Sequence, residues 1–233
     1  MSLLNKKFLI SGCGLSFSGQ ERKTWTNIFK AAGLKITDVG GPAVSNQWIL
    51  NKVILEVYNN SYDSIIIQLT GLGKLDVELN EERRKELVEP DSIRNFTYKN
   101  IWPSSSSNEH LSKKLYLDWL VSPTLEAEDI VCKLLLLKSL CETKNINLYV
   151  FHGYDIPWTG EQRQLIKHIL SNDSGLYNDY PESVHYQFHD HTNTVPCLSY
   201  QFVLAKHIAA ICCPEILDKI NLILAKSPNV VLT

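Results

Sequence analysis

The chain lacks several features that would assign it quickly. Its formal net charge is only −2, from 23 Lys and Arg against 25 Asp and Glu, and no basic run interleaves with aromatics. A phosphate backbone is held by concentrated positive charge, so nucleic acid is not expected as a partner. No segment offers the roughly 18 consecutive apolar residues of a membrane span, and the opening MSLLNKKFLI has too short an apolar stretch for a signal peptide. The expectation is a cytoplasmic protein that does not engage a membrane. The 6 cysteines contain no CxxC pair, and several lie in apolar runs where a thiol behaves as a small hydrophobe. That pattern argues against a zinc site and a disulfide framework, and no cofactor is called for. Internal repeats are also missing.

What is present is ordinary globular composition, 44% hydrophobic and 21% charged over 233 residues. That length suits one domain, residues 1–233. Residues 7–11 (KFLIS) are a short apolar run stopped by Gly12, the pattern of a buried strand entering a tight turn. Trp25, Ile28, Phe29 and Ala32 then recur at helical spacing within residues 21–32, and Gly33 follows where a left-handed C-cap would fall. Residues 34–39 read as a second strand. Ser45 can cap a helix with the apolar face Leu50, Val53, Ile54 and Val57, and residues 64–69 (SIIIQL) form a third strand buried on both faces. Strand alternating with helix predicts βαβ crossovers and a central parallel sheet.

Residues 70–113 interrupt the rhythm, being polar and holding Pro90, Pro103 and four consecutive serines, and read as an irregular insertion. Beyond it, Thr124 can cap a helix whose apolar face runs Ile130, Leu134, Leu137, Cys141; residues 146–151 read as a fourth strand. Thr159 and Gln162 have capping-box spacing for a helix ending near Leu170. Two more helices, 199–212 and 215–225, are divided by Pro214.

Ligands of open parallel sheets bind beyond the carboxyl ends of the strands, where helix N-termini direct their amides. The first such loop reads GCGLSFSG. It can cradle phosphate, with Asp38 as a ribose acceptor, although Phe17 occupies the place of the third glycine of GxGxxG. It can equally display Ser16 as a nucleophile, or be merely a tight turn. In the second loop Gly41 and Asn46 can face an oxyanion, or Asn46 can simply help cap the next helix. The third supplies Gly71; the fourth supplies His152, Tyr154, Asp155 and Trp158, suited to a ring-bearing substrate or to plugging the end of the sheet. His185, His189, Asp190 and His191 precede the last apolar helices and can supply a general base. No ligand spacing elsewhere matches them to a metal.

Taken in order, these loops resemble the SGNH/GDSL hydrolase superfamily: Ser16 after strand one, Gly41 after strand two, Gly71 in TGLG after strand three, and Asp190–His191 before the final helices. The resemblance implies an α/β, flavodoxin-like three-layer αβα sandwich. It also implies an esterase or acyltransferase acting on an ester of a carbohydrate, a small-molecule or glycan substrate. Ser16 would be nucleophile and His191 base, oriented by Asp190 or Asp155; Gly41 and Asn46 would be oxyanion donors; Gly71, His152, Tyr154 and His189 would face substrate. Leu15 stands where the family has aspartate, and TGLG replaces its asparagine block. Two other functions therefore stay open: a transferase binding a nucleotide or nucleotide-sugar in surface-glycan synthesis, and a catalytically inactive binding protein.

Overall fold

The computed structural model describes residues 6–13, 24–41, 44–72, 75–78, 98–101, 122–153, 156, 158–170 and 198–227. Within them lie six strands, β1 (Lys7–Ser11), β2 (Lys35–Asp38), β3 (Ser64–Leu69), β4 (Leu75–Glu78), β5 (Tyr98–Ile101) and β6 (Asn147–His152). The helices are α1 (Trp25–Ala31), α2 (Asn46–Asn59), α3 (Pro123–Lys144), α4 (Gly160–Ile166), α5 (Leu198–Cys212) and α6 (Leu217–Ala225), the last preceded by a 3₁₀ turn at Pro214–Ile216. The main sheet is entirely parallel, in the order β2-β1-β3-β6. That is the flavodoxin-like order, in which the connection reverses direction between β1 and β3. Leu170 adds one parallel bridge to Val150, at the place of a fifth strand.

Side-chain alternation along the strands separates two apolar layers. Leu9, Ile65, Ile67, Leu69 and Val150 pack under α2, α3 and α4, whereas Phe8, Ile10, Ile66 and Phe151 pack under α1, α5 and α6. The result is a three-layer αβα sandwich. Every residue of β3 is buried, as its unbroken apolar run requires when helices cover both faces. Each fully buried large apolar side chain stabilises the fold by ~1.5–3 kcal/mol relative to exposure.

Local signals account for several boundaries. Gly33 adopts φ 96° just past α1, a conformation costly for any residue with a Cβ. The Ser45 hydroxyl accepts from the Trp48 amide at 3.1 Å, and Thr159 and Gln162 complete a reciprocal capping box. The start of α3 differs from expectation: Ser122, not Thr124, is the N-cap and accepts from the Leu125 amide, because Pro123 already occupies the first turn. At the other end Asn145 takes the left-handed conformation, and the Lys144 ammonium donates to the Val57 and Tyr58 carbonyls at 2.5 and 2.9 Å, closing the C-terminal end of α2. The stretch 70–113 is not wholly irregular, since β4 and β5 pair antiparallel within it, with Leu75 opposite Ile101 and Glu78 opposite Tyr98. No helix among the described residues is long and apolar enough to cross a membrane.

Candidate active site

The carboxyl ends of β1, β2, β3 and β6 form one rim, and close backbone contacts build it. Ladder bonding between β1 and β2 continues past both strands, with Val39 donating to the Ile10 carbonyl at 2.9 Å and Gly41 to the Gly12 carbonyl at 3.1 Å. A Cβ on Gly40 would stand 2.9 Å from the Gly12 oxygen, so only glycine lets the two turns touch. Asp38 curls back, its Oδ1 accepting from the Gly40 amide at 2.9 Å. The carboxylate that could meet a ribose thus takes part in shaping its own turn. Cys13 is buried against the α2 side of the sheet, a packed thiol at the loop's entrance.

Two expected oxyanion donors are occupied inside the protein. Asn46 is 0% exposed, and its carboxamide spans the Thr70 backbone: Nδ2 donates to the Thr70 carbonyl and Oδ1 accepts the Thr70 amide, each at 2.7 Å. It fastens the first turn of α2 to the end of β3. The Gly41 amide is likewise committed to Gly12. Gly71, next along from Thr70, is only partly buried, and its N–H is not taken up by any described residue.

His152 lies beside Leu69 in the β3–β6 register and is 3% exposed. Its Nε2 accepts from the Trp158 indole at 3.2 Å, with ring centroids 5.6 Å apart, so its proton sits on Nδ1. The ring supports the floor of the rim and does not present both nitrogens to a substrate. Next to it, Gly153 donates to the Leu69 carbonyl at 2.7 Å, and a Cβ there would fall 2.7 Å from Gln68 Nε2.

A second cluster, on the α1 and α5 side, is built from residues that no sequence motif singles out. Trp25 opens α1, where the first amides have no partner within the helix and Thr24 provides no side-chain cap. Gln201 of α5 supplies the acceptor instead, its Oε1 taking the Trp25 amide at 2.8 Å. The Trp25 indole donates to Gln68 Oε1 at 3.2 Å. Trp25 is 0% exposed and both glutamines 1%. The available signal was a lone glutamine inside the apolar run SIIIQL and another inside an apolar helix. Buried polar side chains at such positions are retained for specific bonds.

Ser16, Tyr154, Asp155, His189, Asp190 and His191 lie outside the described residues. Their flanks are described. In sequence, Ser16 falls between Cys13, two residues past β1, and Thr24, the N-cap of α1, and the histidines precede α5. Among the described residues no group of His, Cys, Asp and Glu is arranged to hold a metal ion.

No protein-family model and no curated protein sequence matches the chain. Solved structures do. A provisionally assigned acylhydrolase from Bacteroides fragilis aligns over 92% of this chain and 88% of its own, at 10% identity and a TM-score of 0.43. An acetyl xylan esterase from Geobacillus stearothermophilus aligns over 88% and 94%, at 13% identity and a TM-score of 0.45. An alpha/beta hydrolase enzyme from the metagenome of Lake Arreo, Spain, aligns over 93% of this chain and 99% of its own, at 12% identity and a TM-score of 0.53. This last alignment identifies the shared property as architecture: the described residues form a three-layer α/β fold like that of the hydrolase.

Proposed function

We propose that the protein is an SGNH-like esterase or acyltransferase acting on an ester of a carbohydrate, with Ser16 as nucleophile and His191 as base. The observation that carries this reading is the hydrogen bond from the Trp25 amide to Gln201 Oε1 at 2.8 Å. It joins the chain emerging from the Ser16 loop to the helix that follows Asp190 and His191. Trp25 and Gln201, 176 residues apart in sequence, are thereby neighbours, which supports a pairing of the serine and the histidine that precede them.

In this mechanism Ser16 Oγ attacks the acyl carbonyl while its proton passes to His191, held in orientation by Asp190. Negative charge on the tetrahedral carbonyl oxygen is met by the amides of Ser16 and Gly71. Collapse expels the alcohol, which takes the proton from His191. Water, or a second alcohol in the acyltransferase case, then gives its proton to His191 and attacks the acyl-enzyme, and Ser16 is regenerated. Tyr154, Asp155 and His189 face the sugar. The test is Ser16→Ala assayed with p-nitrophenyl acetate and with acetylated xylo-oligosaccharides. Loss of turnover by about 10³-fold or more is expected; turnover that survives the substitution refutes the mechanism.

A further inference from the structure

We propose that a cleft at the amino ends of β1 and β2 binds a small phosphorylated organic molecule, with Lys7 and Lys35 as the clamp for its phosphate. The cleft lies at the end of the sheet opposite the rim formed by the strands' carboxyl ends, so the proposal is independent of the esterase reading. Its volume is about 470 Å³, and it is enclosed by β1, β2 and the turn that leads from α2 into β3. Sites for small organic ligands occupy on the order of 300–1,000 Å³. A lone phosphate ion would leave most of this cleft to water, whereas a phosphorylated sugar or nucleoside fits it.

The lysines set the charge of the ligand. Lys7 and Lys35 are Cα partners in the parallel β1–β2 ladder, so their side chains leave one face of the sheet from strands about 4.8 Å apart. Like charges directly opposite one another are destabilising unless a counter-charge lies between them. Carboxylates stand nearby, yet each is held by another donor. Glu56 Oε1 accepts from the Tyr62 hydroxyl at 2.6 Å and from Asn60 Nδ2 at 2.8 Å. Burial, then the bond to Glu56, pushes the Tyr62 phenol up and so keeps it a donor. Asp63 Oδ2 accepts the Lys7 backbone amide at 2.7 Å. The carbonyls of Val57 and Tyr58, at the negative end of α2, are taken by Lys144. The ammonium groups of Lys7 and Lys35 have no acceptor among the described residues and are left for a ligand. Exposed Ser61 and the Ile36 side chain, also lining the cleft, offer a hydroxyl and an apolar surface to the ligand's carbon skeleton.

The test is calorimetric titration of the full-length chain with glucose 6-phosphate, AMP, glucose and inorganic phosphate. At least one of the two phosphomonoesters should bind with a Kd of about 0.1–1 mM, and about tenfold or more tighter than inorganic phosphate. Glucose should give no signal. Lys7→Gln and Lys35→Gln keep most of each stem and remove the charge; each should weaken binding by about 5- to 10-fold, and the pair by more than either alone. Lys35→Arg, which keeps the charge, should bind within about threefold of the unsubstituted chain. Both lysines are exposed, so the thermal midpoint should hardly move in any of these variants. Lys52, an exposed lysine of α2 whose ammonium lies 5.6 Å from the Trp48 ring, is the control for diffuse charge, and Lys52→Gln should leave Kd unchanged.

Tighter binding of glucose 6-phosphate would assign the skeleton to a sugar, and tighter binding of AMP to a nucleoside; either result supports the clamp. Absence of binding by both phosphomonoesters overturns the proposal, as does binding indifferent to both glutamine substitutions or weakened equally by Lys52→Gln. Inorganic phosphate bound as tightly as both esters overturns it too, since the cleft would then hold an ion only.

Discussion

Replacing Asn46 with alanine isolates the bond pair that fixes the end of β3. The side chain makes two 2.7 Å hydrogen bonds to the backbone of Thr70, and both residues are 0% exposed. Without the carboxamide, the Thr70 amide and carbonyl each lose a partner away from water, at about 1–3 kcal/mol per group. The pair together predicts a loss of about 2–5 kcal/mol, allowing for some relaxation. For a chain of this size that lowers the thermal midpoint by about 2–4 °C per kcal/mol.

Asn46→Asp sharpens the experiment. It keeps the acceptor for the Thr70 amide but turns a carboxylate toward the Thr70 carbonyl, and burial opposes the charge. Favourable placement in the first turn of α2 contributes only about 0.3–1 kcal/mol in return. The folded state therefore holds the proton more tightly than the unfolded chain, whose aspartate titrates near ~3.9. The deficit relative to asparagine should be smallest below that pH and grow as pH rises from it toward the raised folded value. Urea unfolding followed by circular dichroism from pH 3.5 to 7.5 measures both effects. A loss under about 1 kcal/mol for Asn46→Ala, or an Asn46→Asp offset that ignores pH, refutes the assignment of Asn46 as a pin for Thr70.

Gly153→Ala should lower stability by about 1–3 kcal/mol, because the new Cβ meets the Leu69 oxygen at 2.8 Å in a central strand; Gly160→Ala, whose Cβ meets nothing within 4 Å, should be neutral or stabilising, and equal midpoints for the two would refute the steric argument. Thr159→Ala removes the capping-box acceptor of α4 and should cost about 0.5–2 kcal/mol in urea unfolding; no change would show the box to be idle. Among the described cysteines, exposed Cys132 should react first with a thiol reagent at pH 8, as mapped by mass spectrometry. Burial, then Glu142, pushes Cys141 up to about 11, and burial, then Glu215, pushes Cys213 up to about 12. Because the fold keeps these thiols protonated while unfolded thiols ionise near 9.0, stability should decline as pH rises above that value; a flat profile from pH 8.5 to 10.5 counts against it.

Much of the architecture could be read from local pattern. The run SIIIQL became β3 with the expected limits, since continuous apolarity leaves few alternatives when both faces are covered. Gly33, Ser45 and the Thr159–Gln162 pair acted as expected because caps and turns are decided by residues within one turn of each other. The β4–β5 ladder left no clear signal because its strands are four residues each and set far apart in a polar stretch. The rim was harder still. Asn46 meets Thr70 24 residues away, and Trp25 meets Gln201 176 residues away. Bonds of that span leave no periodicity, so a side chain legible as a donor at the second loop proved to be committed to the third.

Gly40 and Gly153 mark points where main chain rests on main chain or on a buried amide, with no gap for even a methyl group. A side chain at either position would force the main chain or the buried amide aside. Variation of this rim is therefore left to positions other than these two glycines.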